Sequence, residues 1–464
     1  MRYKNLLAYL ILVSVFICIF IPNLNEPMDT GKNFAYSFIS IISIALYLFT
    51  FIKLYPTWVR FETLFLIGYL IVHFQIPFLF SFGIEPSNPS FVWLNKEVVN
   101  YATWLSSFSI HLWMIGSTLS TISNSKRVKN KLNPIRSAYS IKKLDNILLI
   151  SFIGFYGLAG GSLLNGSHDG MGSWGEGASY FMIILRVSLY FRIFVFFKEL
   201  KRVTISSILI GNIMFLSILL LYTLTFMLIG DRGPFMQVVI VIMLCFGVFV
   251  KRISLGSLLF LICTGALLLS VIGLGRSVED GNIFEAGLEK LQNSETNPTE
   301  ELATSVRIMY RALTYFPSNI DYMYGLQFII GFLGLIPFAS GLFIQFYNIP
   351  TEFTASSRLF TYIGQGNNIT YGEGTEIISD IYINFGIFGV FLIMFFYGYF
   401  TSKVSFNALQ KHSDKYFLIL IVITSTAIYI NRAQFLMPLR DIVYLLVICY
   451  FVEYKGFKKR LISS

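Results

Sequence analysis

Charge is scarce in this chain, and so are cysteine and histidine: charged residues fill 13% of its 464 positions, beside four cysteines and four histidines. Set against 55% hydrophobic residues, so little charge excludes a soluble globular fold, because the long apolar runs would leave no polar surface. Cys18, Cys245, Cys263 and Cys449 all lie inside apolar runs without C-x-x-C or zinc spacing, so neither disulfides nor a structural metal are expected. His73 and His111 stand alone in apolar runs, His412 falls in a basic segment and His168 in the glycine-rich "NGSHDGMGSWGEG". P-loop, H-E-x-x-H and G-x-S-x-G motifs are missing. No segment expected on the cytoplasmic side is large enough to bind a nucleotide sugar, so an activated donor would arrive already attached to a carrier.

What the chain has is apolar length. A bilayer core of about 30 Å takes roughly 20 residues of helix, and twelve runs approach that: 6–22, 35–55, 62–82, 100–122, 146–164, 178–197, 205–229, 234–250, 253–275, 377–400, 416–431 and 438–453. The expected fold is therefore an all-α polytopic membrane protein of about 12 transmembrane helices. Its N-terminal run has no small-residue cleavage site and reads as the first span.

Positive charge orients it. With both termini cytoplasmic, the inner segments collect 23 of the 35 lysines and arginines, seven of them in "SKRVKNKLNPIRSAYSIKK", as the positive-inside rule requires. The excess of Lys+Arg over Asp+Glu is thus a topology signal and implies no nucleic acid. Three regions follow: helices 1–9 over residues 1–275, a large extracytoplasmic loop over 276–376 between helices 9 and 10, and helices 10–12 with a cytoplasmic tail over 377–464. Within the loop, "FIIGFLGLIPFASGLFI" (328–344) is broken by Pro337 and three glycines and reads as a pair of short interfacial or re-entrant helices.

Several charges occupy positions that lipid makes expensive. Arg186 and Arg192 interrupt "SYFMIILRVSLYFRIFVFF", Arg192 near enough to the cytoplasmic end to snorkel. Arg232 in "GDRG", Arg276 in "GLGRS", and Arg432 and Arg440 in "NRAQFLMPLRD" all fall at the outer level, where guanidinium groups suit a lipid-linked phosphate. The bland alternatives are a local Asp231–Arg232 pair, interfacial anchoring, and Asp441 paired with Arg432 or Arg440. Helix 10 opens with "GEGTEIISDIYINFG", where Glu376, Asp380 and Asn384 share one helical stripe. Glu376 also suits the helix dipole.

These stretches resemble the bacterial O-antigen and capsule repeat-unit polymerases of the Wzy type: "GDRGPF" after an apolar helix, a large outer loop before the antepenultimate span, and an acid followed by Tyr-x-Asn-Phe-Gly. Gly-Thr-Glu stands here where Gly-Ser-Ser is commoner. The resemblance implies a GT-C-like glycosyltransferase at the outer face of the bacterial cytoplasmic membrane, acting on undecaprenyl-diphosphate-linked oligosaccharide as donor and acceptor, with a flippase and a chain-length regulator as partners. It places Arg232 on the donor diphosphate and Asp380 at the acceptor hydroxyl, supported by Tyr382 and Asn384. Asp380, Glu376 and Arg232 are then the candidate catalytic residues. Arg186, Arg276, Arg432, Arg440, Tyr382, Asn384 and Glu373 are the candidate substrate contacts. Preorganised arginines stabilise a diphosphate leaving group without a metal, so no cofactor is expected, although Glu373 and Glu376 would also suit a divalent cation. A glycan ligase and a flippase of the lipid-linked unit are the alternative readings; the concentration of unusual charges at one face favours catalysis there.

Overall fold

The computed structural model describes residues 2–55, 57–125, 139–160, 177–200, 211–229, 231–275, 287–289 and 299–453. Among them helix dominates and no strand forms; the extended pairing is one isolated bridge between Tyr139 and Glu453. Lipid offers the backbone no hydrogen-bond partners, so an apolar run must satisfy its own amides, and helix does so.

Each of the twelve apolar runs carries a helix: α1 (Arg2–Ile19), α2 (Thr30–Phe51), α3 (Phe61–Phe80), α4 (Val99–Ser125), α5 (Ile141–Ala159), α6 (Ala178–Leu200), α7 (Ile213–Ile229), α8 (Arg232–Phe249) and α9 (Leu255–Gly275), then, beyond the intervening segment, α14 (Ile377–Leu409), α15 (Asp414–Ser425) and α16 (Met437–Val452). The segment between holds α10 (Val306–Tyr315), α11 (Leu326–Leu333), α12 (Ala339–Phe346) and α13 (Ser356–Gln365). Four helices, α2, α3, α6 and α14, are long and apolar enough to cross a bilayer by length and composition, and shorter apolar helices accompany them. α15 has 12 residues, about 18 Å at 1.5 Å per residue, and the chain continues through a turn into a 3-10 helix, Tyr429–Arg432.

α4 is the polar centre of the bundle. Its sequence, rich in Ser and Thr, is buried on nearly all sides, which is tolerable because most of the hydroxyls are spent, Ser109 being an exception. Thr103, Ser106 and Thr118 donate to carbonyls four residues back in their own helix. Others reach across: Ser107 to Ser40 at 2.8 Å, Ser117 to Tyr47 at 2.5 Å, Thr121 to Ser402 at 3.0 Å, and His111 to Ser43 at 2.9 Å. Such small polar residues are the usual adhesive between membrane helices.

α14 lies along α4 at backbone distance. A Cβ on Gly116 would strike the Phe395 carbonyl, and one on Gly398 would strike the Trp113 carbonyl. The two glycines thus make reciprocal contacts at one seam. At one end of the bundle the segment from 299 onward folds back over the helices, with Thr299 donating to Gln75 at 2.8 Å, Ser87 donating to Glu300 at 2.8 Å and Asn95 donating to Thr314 at 3.2 Å. The opposite end is fastened by Lys198–Asp414 at 2.5 Å and Lys415–Glu453 at 3.0 Å.

Gly398→Val forces the seam apart, and overpacking of this kind costs about 1–3 kcal/mol. The thermal midpoint of the detergent-solubilised variant is expected to fall by several degrees. Gly157→Ala, whose added Cβ meets open space, serves as the control and leaves it unchanged or slightly raised.

Candidate active site

The site grows from the start of α14. Glu376 is its N-cap: the carboxylate accepts from the Ile378 amide at 2.8 Å, the Ser379 amide at 2.6 Å and the Ser379 hydroxyl, satisfying donors that a helix start otherwise leaves open. It is fully buried, with Nε2 of His73 at 3.7 Å. Glu376 therefore stands just outside the helix, and the stripe that follows is Asp380 and Asn384.

Asp380 is buried, and its Oδ2 accepts from the Phe435 amide at 2.8 Å. That bond ties the start of α14 to the segment between the 3-10 helix and α16. Asn384 Nδ2 donates to the Asp380 carbonyl at 2.8 Å and to Gln327 Oε1 at 3.0 Å. The Tyr382 hydroxyl donates to the Phe316 carbonyl at 3.3 Å and receives one from Tyr322 at 3.4 Å.

A glycine gives this piece of helix its separate direction. Gly386 has φ 65° and ψ −168° inside α14, a conformation that side chains resist. The break frees the Ile383 carbonyl, which accepts from the Met323 amide at 2.7 Å. Residues 377–385 are thereby held by the loop before α11 as well as by their own helix.

Glu373 is occupied. Arg307 reaches its Oε2, Arg311 lies 3.3 Å from Oε1, and the Tyr371 hydroxyl donates to Oε1 at 3.2 Å. Arg307 also stacks over Phe91, 3.8 Å from the ring centroid, and Arg311 donates to the Phe360 carbonyl at 3.0 Å. Burial pulls the Arg307 guanidinium below its usual pKa, and the adjacent Glu373 opposes that pull. Neither arginine was singled out in the sequence, yet "VRIMYR" spaces them i, i+4 on one helical face. Among the described residues no group of three or more His, Cys, Asp and Glu side chains could hold a metal ion.

The remaining candidates lie around this core. Arg432 ends the 3-10 helix three residues before Phe435 and faces Glu301 at 3.6 Å. Asp441 pairs with neither Arg432 nor Arg440: it takes Arg186, at 2.7 Å, joining α6 to α16. Arg186 keeps its Nε without a partner, and Arg440 is exposed one position before Asp441. Asp231 caps α8 through the Gly233 amide at 3.2 Å, so its carboxylate serves the backbone. Arg232 is the first residue of α8. Its side chain, the whole of Arg276 and His168 lie outside the described residues.

Among known proteins, the family described as O-antigen polysaccharide polymerase Wzy matches residues 3–459. No curated protein and no solved structure matches the chain.

Removing one partner from a buried ion pair leaves a stranded charge, at about 3–5 kcal/mol. Glu373→Gln is therefore expected to destabilise the segment it anchors, read as faster proteolytic cleavage between residues 366 and 372. The triple variant Arg307→Met, Arg311→Met, Glu373→Leu restores resistance. Equal cleavage of wild type and Glu373→Gln would show that the pair contributes little.

Proposed function

The chain belongs to the O-antigen polysaccharide polymerase Wzy family, and we propose that it joins lipid-linked oligosaccharide repeat units at the outer face of the bacterial cytoplasmic membrane. It is a membrane protein of the O-antigen polymerase type; the donor, acceptor, topology and residue roles that follow are the reading we favour. All twelve apolar helices cross the bilayer in that reading, the eleventh crossing combining α15 with the turn and 3-10 helix after it. The termini are cytoplasmic, and the segment 276–376 covers the outer end in a GT-C-like arrangement.

The growing chain enters as a glycosyl undecaprenyl diphosphate and the acceptor as a single unit on a second carrier. The acceptor hydroxyl at the non-reducing end attacks the anomeric carbon of the donor, a new glycosidic C–O bond forms, the C–O bond to the diphosphate breaks, and the lipid diphosphate leaves. Asp380 takes the hydroxyl proton. One observation carries that role: a buried carboxylate that accepts from the Phe435 amide and has no ion-pair partner among the described residues. Asn384 and Tyr382 hold its helical turn in place. Glu376 supports Asp380 by capping that turn, and Glu373 does so at one remove by tying the segment before it to Arg307 and Arg311.

Developing charge on the diphosphate needs fixed cations. Arg232, Arg276, Arg432, Arg440 and Arg186 are the candidates, with Arg232 assigned to the donor by its place in "GDRGPF". No metal enters this scheme. A flippase that delivers the units and a chain-length regulator are the partners it calls for.

Deleting the gene in its native host is expected to leave glycan carriers with at most one repeat unit. Loss of that single unit too would favour the ligase or the flippase. Asp380→Asn and Arg232→Ala proteins that insert normally are each expected to cut polymer at least 100-fold, the scale of a lost acid–base group for the first and of a lost transition-state charge stabiliser for the second. Full-length polymer from either variant would remove that residue from the site.

A further inference from the structure

The segment 326–351 contains no Asp, Glu, Lys or Arg, and it forms α11 and α12. None of the eight residues of α12 is buried. An isolated eight-residue helix is not stable in water, so this one needs a cover. Its exposed side chains include Leu342, Phe346 at 78% and, at the turn before it, Ile336 and Phe338 at 71%. Phe338 adopts φ 65°, a conformation costly for a bulky residue, and in it presents its ring outward.

The hairpin is tied to the chain beside Arg186 and Arg440. The Phe338 amide donates to the Tyr180 hydroxyl at 3.2 Å, and the two rings lie 5.7 Å apart. Tyr180 precedes Arg186 by six residues on α6, about 9 Å along the axis. Leu436 packs beside Gly331 of α11, where an added Cβ would come within 3.1 Å of its side chain, and it precedes Arg440 by four residues, about 6 Å. Arg440 is exposed and makes no ion pair among the described residues, and the buried Arg186 Nε has no acceptor.

We propose that the α11–α12 hairpin is the docking surface for the hydrocarbon tail of the lipid diphosphate, with Ile336, Phe338, Leu342 and Phe346 along the tail and Arg440 and Arg186 at its head. This rests on the reading of the substrate as lipid-linked. The absence of charge over 26 residues fits an apolar chain, and the adjoining arginines fit the anion that such a chain carries. A site of this kind holds the tail by area burial and the head by charge-assisted hydrogen bonds, so the two contributions separate by mutation.

The test measures binding to the full chain in nanodiscs, with undecaprenyl diphosphate and inorganic diphosphate as probes. Leu342→Ser/Phe346→Ser, whose side chains are exposed, is expected to weaken undecaprenyl diphosphate at least tenfold while inorganic diphosphate competes as before. Arg440→Ala weakens both. Undiminished affinity of the double variant for undecaprenyl diphosphate means that ordinary acyl chains cover the hairpin, and overturns the proposal while leaving the substrate reading intact. A wild-type dimer that the double variant splits assigns the surface to a second copy and overturns it too. Failure of wild type to bind undecaprenyl diphosphate at all overturns the substrate reading itself.

Discussion

The seam between α4 and α14 is the constraint from which the site's geometry follows. Gly116 and Gly398 bring the two backbones into contact, and α4 is further bound to α2 by hydroxyl pairs at Ser107 and Ser117. A helix held that closely has no freedom to slide or turn, so the direction of α14 from Ile387 onward is fixed by the bundle. The break at Gly386 is the place where its first two turns take another direction. There the loop decides: Met323 takes the freed carbonyl, Gln327 takes Asn384, and the Tyr322–Tyr382–Phe316 contacts hold the far side. Asp380 is stationed by this division of labour between a rigid bundle and the segment folded over it.

An apolar surround makes each charge costly unless it is matched, and the matches here are specific. Arg186 takes Asp441, Arg192 takes Asp145 at 2.8 Å, and Arg307 and Arg311 share Glu373. Glu376 spends its charge on helix-start amides. Asp380 likewise has a neutral backbone donor, the Phe435 amide, but one that comes from another segment of the chain and not from the start of its own helix. A carboxylate paired with a guanidinium is poorly suited to accept a proton, because the cation stabilises the ionised form; one held by an amide keeps its position with less loss of basicity. The chain's economy of charge thus distinguishes the residue suited to proton transfer from the ones that build its surroundings.

Much of the helical framework was legible because lipid imposes it: a run of apolar residues near 20 has one backbone solution. Ends were less legible. α14 continues nine residues past the expected 400 to Leu409, since "TSKVSFNAL" packs against the protein and need not be apolar. α15 stops at Ser425 although the expected span goes on to 431. The Asn431 amide reaching the Phe65 carbonyl at 3.2 Å belongs to tertiary packing that no local pattern reports. Pairings were the least legible part of the site. Asp441 bonds a residue 255 positions away, and Glu373 bonds one 66 positions away. The i, i+4 spacing of Arg307 and Arg311 announces a face, but only the fold supplies the acid between them. Glu376 shows the converse: its place in a periodic stripe was visible, while its use as a cap depended on where the helix begins.

Gln327 joins these levels. It sits in the first turn of α11, is buried, and accepts from Asn384, one turn below Asp380. The hairpin's second helix has no buried side chain, so its placement depends on whatever apolar medium surrounds it and on the ties at Tyr180, Leu436 and Gln327. The first two ties lead to the helices of Arg186 and Arg440, and the third leads to the carboxylate. A hairpin moved relative to the bundle must therefore strain the contacts beside the arginines and those below Asp380 together. The charge-free stretch and the acidic stripe are far apart in composition, but in the fold they form one mechanical unit.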